Sequence, residues 1–260
     1  MHLSGKAALV TGASSGIGRA TALLLAEHGA KLAMVDIARE PLHALCDEMK
    51  AKGLQAVACD ADVSMAEQVQ AAVSKAVQTW GRLDIVFSNA GINGTWAPLE
   101  MLTPEEWDKT LGINLRGGFL TLKYTIPHLR VRGGSIIIDS SINGTRVFSN
   151  VGASAYASSK AALAALGKMA ALELAPYKIR VNVICPGSIA TQIDAGTKRR
   201  GLDDLQPQVI FPRGEIPLTG GKPGTAEQVA RLVAFLASDE ADHISGTQVY
   251  IDAAQSLLRG

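Results

Sequence analysis

Ala7-Ala-Leu-Val-Thr-Gly-Ala-Ser-Ser-Gly-Ile-Gly18 passes from an apolar run into a glycine-rich turn and on into a helical pattern. The apolar run at 7–10 reads as a buried strand, and the apolar spacing over 16–27 reads as a helix folded back against it. Between them, Gly12, Gly16 and Gly18 let the backbone turn tightly, approach a pyrophosphate and pack the helix on the strand. The helix N-terminus would offer free N–H groups to an anion, with Ser14, Ser15 and Ile17 completing the cradle. The spacing is Gly-x-x-x-Gly-x-Gly, not the common Gly-x-Gly-x-x-Gly. A glycine-rich turn can be only a turn, but in strand–turn–helix context it points to a bound dinucleotide.

Short apolar runs and longer amphipathic stretches keep alternating along the chain, which is the pattern of crossover units on a parallel sheet. Strands are predicted near 7–10, 32–35, 56–59, 85–88, 135–139, 180–184 and 248–251, with helices over 16–27, 41–52, 65–80, 104–129, 155–174 and 226–236. Ile136-Ile137-Ile138 is apolar on both faces and belongs in a sheet covered on both sides. The expected fold is therefore α/β: a single-domain, doubly wound, parallel seven-stranded sheet with helices on both faces, binding ligands at the carboxyl ends of its strands. No linker or repeat divides the 260 residues, so one domain spans 1–260. Only 192–221, with Lys198-Arg199-Arg200 and prolines from Pro207 onward, breaks the rhythm. Long irregular segments in compact domains are commonly functional, and this one is read as a substrate lid, with contacts expected from Ile193, Leu202, Ile210 and Phe211. Trp96 and Phe148 are candidate pocket walls.

Composition excludes several partner classes. The net charge of +1 comes from 25 basic and 24 acidic side chains spread along the chain, which leaves no footprint for nucleic acid or an anionic membrane. No apolar run reaches the ~18 residues of a membrane-spanning helix, and the first residues lack the order of a signal peptide. Cys46, Cys59 and Cys185 form neither a disulfide framework nor a metal-ligand spacing. A soluble, cytoplasmic protein acting on a small molecule, with no metal, is expected.

Asp36 ends the second strand, where a carboxylate accepts hydrogen bonds from the adenosine ribose and repels a 2′-phosphate. Ser14, Ser15 and Ile37 supply no cation there, and Arg39 is the nearby basic residue, so the expected cofactor is NAD (NADH) rather than NADP. Farther along, Tyr156 and Lys160 stand four apart, on one face of a helix. A phenol ionises near pH ~10, and a fixed positive charge beside it makes it usable as an acid/base near neutrality.

With the glycine turn, Asn114, Ser140-Ser141, Tyr156 and Lys160 in this order, the chain resembles the classical short-chain dehydrogenase/reductase family over essentially its whole length. Asp60-Ala-Asp-Val63, Ser88-Asn-Ala-Gly91 and Pro186-Gly-Ser-Ile-Ala-Thr191 extend the likeness. The resemblance implies that Asp62 and Val63 contact the adenine. Asn89, Ala90 and Gly91 line the cofactor groove, and Pro186, Gly187, Ile189 and Thr191 hold the nicotinamide end. It also implies catalytic roles: Tyr156 as acid/base, Lys160 stabilising its anion and binding the nicotinamide ribose, Ser141 orienting the substrate oxygen, and Asn114 anchoring a relay water. The implied reaction interconverts a secondary alcohol (sugar, polyol or other hydroxy compound) and its ketone. A 3-oxoacyl-[acyl-carrier-protein]-type reductase is the alternative, with Arg130, Arg132 and Lys198–Arg200 as carrier contacts, and a non-catalytic NAD-binding interaction protein is the reading from another class. Small and apolar residues on the long helices, together with the resemblance, imply a homotetramer. Asp252-Ala253-Ala254 departs from a usual Asp-Gly-Gly, which puts the local turn in question.

Overall fold

Side chains on a strand alternate between faces, and β1 (Ala7–Thr11) sends Ala8 and Val10 into one apolar cluster and Leu9 into the other. The computed structural model describes residues 2–205 and 214–259, so the expected lid contacts Ile210 and Phe211 lie outside the described residues. From β1 the chain continues through α1 (Gly16–Glu27), β2 (Lys31–Asp36), α2 (Arg39–Ala51), β3 (Ala56–Asp60), α3 (Ala66–Trp80) and β4 (Ile85–Ser88). A two-residue strand, β5 (Thr95–Trp96), precedes α4 (Pro104–Leu111) and α5 (Gly117–Leu129). Then come β6 (Gly134–Asp139), α6 (Ser154–Leu174), β7 (Ile179–Pro186), the short β8 (Lys198–Arg199), α7 (Ala226–Ala237), β9 (Gln248–Ile251) and α8 (Gln255–Arg259).

The main sheet has seven strands in the order β3-β2-β1-β4-β6-β7-β9. Every pairing is parallel, with Leu9 opposite Ala33 on one side and Val86 on the other. The winding direction reverses between β1 and β4, which opens a crevice at the carboxyl ends of those two strands. Helices cover both faces. Leu25, Met49 and Val233 from α1, α2 and α7 join one cluster, and Val73, Leu120 and Leu163 from α3, α5 and α6 join the other. Ile136, Ile137 and Ile138 alternate between these clusters and are all fully buried; cutting Ile137 to Ala would cost about 2–5 kcal/mol. The single-domain doubly wound fold expected from the apolar pattern is present.

Two features depart from the expected layout. The helix predicted over 104–129 is interrupted by a π-helical turn at Gly112–Arg116, which widens the backbone around Asn114; such turns tend to occur at functional sites. The segment after β7 is anchored by β8, which pairs with β5 through Thr95↔Lys198 and Trp96↔Arg199. Two-residue strands carry no periodicity, so neither was visible in the sequence.

Candidate active site

The glycine turn is held by its neighbours' hydrogen bonds. Thr11 Oγ1 accepts from the backbone N–H of Asn89 at 2.9 Å and of Ala90 at 3.1 Å, and Asn89 Nδ2 donates back to the Thr11 carbonyl at 2.9 Å. Gly12 has φ +66°, and a Cβ on Gly18 would stand 2.0 Å from the Gly12 carbonyl, so only glycine allows α1 to start this close to the turn. Asp36 accepts from both the backbone N–H and the hydroxyl of Ser14, at 2.9 and 2.7 Å, and from Ala38 N–H at 2.9 Å. α1 begins with no side-chain cap and no acidic residue in its first turn, leaving its N–H groups to an anion. The groove beside this turn has a volume of about 410 Å³ and runs from Asp36 and Ile37 past Asp62, Val63 and Gly91 to Lys160. Its glycine floor, bare helix terminus and carboxylate at the end of β2 fit an extended dinucleotide.

A second cleft, of about 250 Å³, adjoins the groove, and Ile17, Asp139, Thr191 and Ile193 line both. Ser141 and Tyr156 face it together. Just past the end of β6 the serine pair separates by its bonds: Ser140 Oγ donates to the Lys160 carbonyl at 2.7 Å, whereas Ser141 Oγ accepts from Asn143 N–H at 3.0 Å; both are buried and both border the cleft. Lys160 is 3% exposed, its Nζ 5.7 Å from the centre of the Tyr156 ring. That Nζ donates to both the backbone carbonyl and the Oδ2 of Asp139, each at 2.9 Å. Burial opposes the Lys160 ammonium, but Asp139 and Tyr156 more than offset it and hold its pKa above the ordinary value; burial pushes the Asp139 carboxyl up, against the pull of Lys160.

Asn114 sits behind Gly91. Its Oδ1 accepts from Ile92 N–H at 2.9 Å, and its Nδ2 donates to the Ile92 carbonyl at 2.9 Å and to Ser159 Oγ at 3.0 Å. A Cβ on Gly91 would come within 3.2 Å of Asn114 Oδ1 and 3.7 Å of Lys160 Nζ, so the π-helical turn, the Gly91 bend and the lysine share one small space.

The segment following β7 lines one side of the cleft with Thr191, Ile193 and Asp194. Asn93 Nδ2 donates to Asp194 Oδ1 at 3.0 Å and Thr197 Oγ1 at 2.9 Å, and Arg200 forms a two-pronged ion pair with Glu106 at 2.8 and 2.7 Å while also donating to the Met101 carbonyl. The Arg200 guanidinium holds Glu106 down to about 2. Arg199 lies over the Trp96 ring, 5.0 Å from its centre.

Residues 12–254 match the family profile described as enoyl-(acyl carrier protein) reductase. Among curated relatives, a cyclohexanol dehydrogenase from an Acinetobacter species is 38% identical over 250 residues, covering 96% of this chain and 94% of its own. A solved 3-ketoacyl-ACP reductase from Sinorhizobium meliloti superposes with a TM-score of 0.95 at 49% identity, over 97% of this chain and 100% of its own. A 3-ketoacyl-(acyl-carrier-protein) reductase from Brucella melitensis, solved in complex with NADH, superposes at 0.86 with 31% identity, over 98% and 99%. The chain belongs to the short-chain dehydrogenase/reductase family. It is an oxidoreductase of that family, which sets aside the non-catalytic reading.

The family's residue order is brought together in space, with instructive exceptions. Gly12, Ser15, Gly16, Ile17, Asp36, Asp62, Val63, Asn89, Ala90, Gly91, Lys160 and Thr191 line the groove. Ser14 and Gly18 do not; one is bound to Asp36 and the other packs under Gly12. Pro186, Gly187, Ile189 and Tyr156 line the adjoining cleft instead. The Asp62 carboxylate accepts from the N–H and hydroxyl of Ser64, so it shapes its own turn as well as the groove wall. Of the expected lid and wall residues, Ile193 and Trp96 line the cleft, but Leu202 packs against Gly152 and Phe148 is 73% exposed. Sequence reasoning missed Ile37, Asn93, Asn143, Asn150, Gln255 and, above all, Asp139. Asp139 carried a signal: an ionisable residue directly after three buried isoleucines has to find a partner.

Proposed function

We propose that the protein is an NAD(H)-dependent oxidoreductase that interconverts a secondary alcohol, a sugar, polyol or similar hydroxy compound, with its ketone. The observation that carries the reading is the junction of groove and cleft, where Tyr156 and Ser141 face one side and Lys160 the other. A bound NAD would supply hydride transfer at the carbinol carbon, and everything else falls to the chain's own groups. Gly12, Ser14, Ser15, Gly16, Ile17 and Gly18 with the first turn of α1 would hold the pyrophosphate, Asp36 the adenosine ribose, and Asp62 and Val63 the adenine. Asn89, Ala90 and Gly91 would wall the groove, with Pro186, Gly187, Ile189 and Thr191 at the nicotinamide. Ser141 donates to the substrate oxygen, Tyr156 takes or gives its proton, Lys160 stabilises the resulting phenolate and holds the nicotinamide ribose, and Asn114 anchors the water that returns the proton to solvent.

Two observations support NAD over NADP. Asp36 Oδ2 is filled by its two bonds from Ser14, but Oδ1 accepts only from Ala38 N–H and retains acceptor capacity, and Arg39 leans toward Asp60, 3.6 Å away, instead of toward the groove. Supporting a hydroxylated substrate is a cleft rich in amide and hydroxyl side chains, with Asn93, Asn143, Asn150, Ser188 and Gln255 around Trp96. The 3-oxoacyl-[acyl-carrier-protein] reductase reading is favoured by the name of the Sinorhizobium neighbour. Against it, three of the five basic residues expected to meet an acidic carrier are engaged, Arg199 with Trp96, Arg200 with Glu106 and Arg130 with Tyr177 at 4.1 Å, which leaves Arg132 and Lys198 exposed for that role.

No helix among the described residues is long and apolar enough to cross a membrane, and Cys46, Cys59 and Cys185 are buried and unpaired, in keeping with a cytoplasmic enzyme. Phe119, Met169 and Leu172 stand 47%, 70% and 79% exposed on α5 and α6, and we assign these helices to a homotetramer interface. The segment 192–221 acts as the lid. An NADH-coupled screen over sugars, polyols and 3-oxoacyl thioesters tests the reading; turnover of the thioesters alone, or a tenfold preference for NADPH, would reverse it.

A further inference from the structure

Two of the three donors of the Lys160 ammonium go to one residue, Asp139, through its carbonyl and its carboxylate. Both side chains are withdrawn from solvent, at 3% and 10% exposure, and Asp139 Oδ1 has no hydrogen-bond partner among the described residues. Such an arrangement is a poor way to gain stability. A buried ion pair barely repays its desolvation, and an orphaned carboxylate oxygen adds to the cost. The pair lies where groove and cleft meet, since Asp139 lines both.

We propose that Asp139 is the counter-ion that sets how much of the Lys160 charge Tyr156 feels, making it a positioning residue for proton transfer. The proposal rests on the alcohol–ketone reading above. A carboxylate 2.9 Å from the ammonium cancels part of its field in a low-dielectric site, so the Tyr156 phenolate is less stabilised than beside an unpaired lysine. Few other charges compete. From β7, Cys185 faces the pair, but burial raises its thiol to about 11 and keeps it neutral at working pH. The bend after β4 and the π-helical turn present Asn89 and Asn114, which do not titrate. The other charged side chains lining groove or cleft are Asp36 and Asp62 at the ends of more distant strands and Asp194 on the segment after β7. Asp139 is thus the nearest charge able to modulate Lys160, and it ties the acid/base strength of the site to a residue outside the Asn114, Ser141, Tyr156 and Lys160 set.

Asp139→Asn keeps the side chain's shape and an acceptor for Lys160 Nζ but removes the charge. In this variant the pH profile of kcat/KM for alcohol oxidation should move about one unit toward acid, with roughly tenfold more activity on its acid limb, in the folded fraction of a protein whose Tm falls because the buried ammonium has lost its counter-ion. Asp139→Thr, also neutral, should move the profile the same way. A profile that superimposes on the parent, or moves toward alkali because the lysine has lost its proton, overturns the proposal. A second readout needs no turnover: ultraviolet difference titration of phenolate, with Tyr156→Phe as blank, should show the Tyr156 anion forming about one unit lower in Asp139→Asn. If that shift appears while no alcohol or ketone is turned over, the functional reading fails and the counter-ion assignment stands. If turnover is present and neither pH readout moves, the assignment alone fails.

Discussion

The groove beside the glycine turn and the cleft beneath the post-β7 segment share a wall but are held together by opposite means. In the groove, backbone closeness does the work: Gly18 lies against Gly12, Thr11 bonds the amides of Asn89 and Ala90, and Asp36 grips the turn through Ser14. In the cleft, side chains meet across long stretches of chain, as Asn93 meets Asp194 and Arg200 meets Glu106. The first construction tolerates almost no substitution, because no other residue fits the space. The second accepts many polar pairs of similar size, which lets it vary with substrate while the groove stays fixed.

This contrast can be broken most sharply at the shared wall. Tyr156→Phe should lower kcat by about 10²–10⁴ and leave NADH affinity within about twofold, measured by steady-state kinetics and fluorescence titration; a loss of affinity equal to the loss of rate would mean that groove and cleft are not separable. Gly18→Ala should weaken NADH binding by at least about tenfold, because its Cβ would stand 2.0 Å from the Gly12 carbonyl; unchanged affinity would show that the turn yields.

On the cleft side, Arg200→Ala should raise KM for the alcohol several-fold and leave KM for NAD unchanged, with only a small loss of stability because the ion pair is solvent-screened. The latch has a predictable pH response. The folded-state pKa of Glu106 lies below its unfolded value, so its contribution is fully present above about 4.5 and is lost as pH falls toward about 2. Protease nicking near Arg200 should therefore accelerate as pH falls through that window in the parent and be insensitive to it in Glu106→Gln.

The smallest effect is expected at the turn after β9. Ala253 and Ala254 adopt φ +51° and +67°, where glycine is at ease and alanine is strained. Asp252 holds the turn by accepting from the N–H groups of Ala254 and Ser256, at 3.2 and 2.8 Å. Ala253→Gly should raise stability by about 0.5–1 kcal/mol, the relief of strain less the added freedom of the unfolded chain, read as a rise in the chemical-denaturation midpoint.

The same contrast explains what could be read from sequence. The sheet, its strands and the groove were legible because apolar alternation and obligatory glycines are local: Ile136–Ile138 declare a doubly covered strand, and Gly12, Gly16 and Gly18 declare a turn. The π-helical turn at Asn114 was hidden, since nothing in Gly112-Ile-Asn-Leu-Arg116 differs in pattern from ordinary helix. The β5·β8 pair and the Asn93–Asp194 contact were hidden because their partners lie about a hundred residues apart. Asp139 was visible as a residue and silent as to partner. Only the fold brings Lys160 to it, from 21 positions away.

The β5·β8 pairing also bears on the order in which the molecule assembles. The bonds that shape the glycine turn, between Thr11 and Asn89 and between Ser14 and Asp36, all join residues no later than 89, whereas β5 waits for residues 198 and 199 before it has a partner. During synthesis the N-terminal portion emerges first, and the entropy of closing so long a loop delays that pairing further. The glycine-turn end of the groove thus takes shape well before Lys160 and Thr191 complete its far end and before the cleft closes, and a ligand captured early at that turn would steady the framework on which the rest of the enzyme is built.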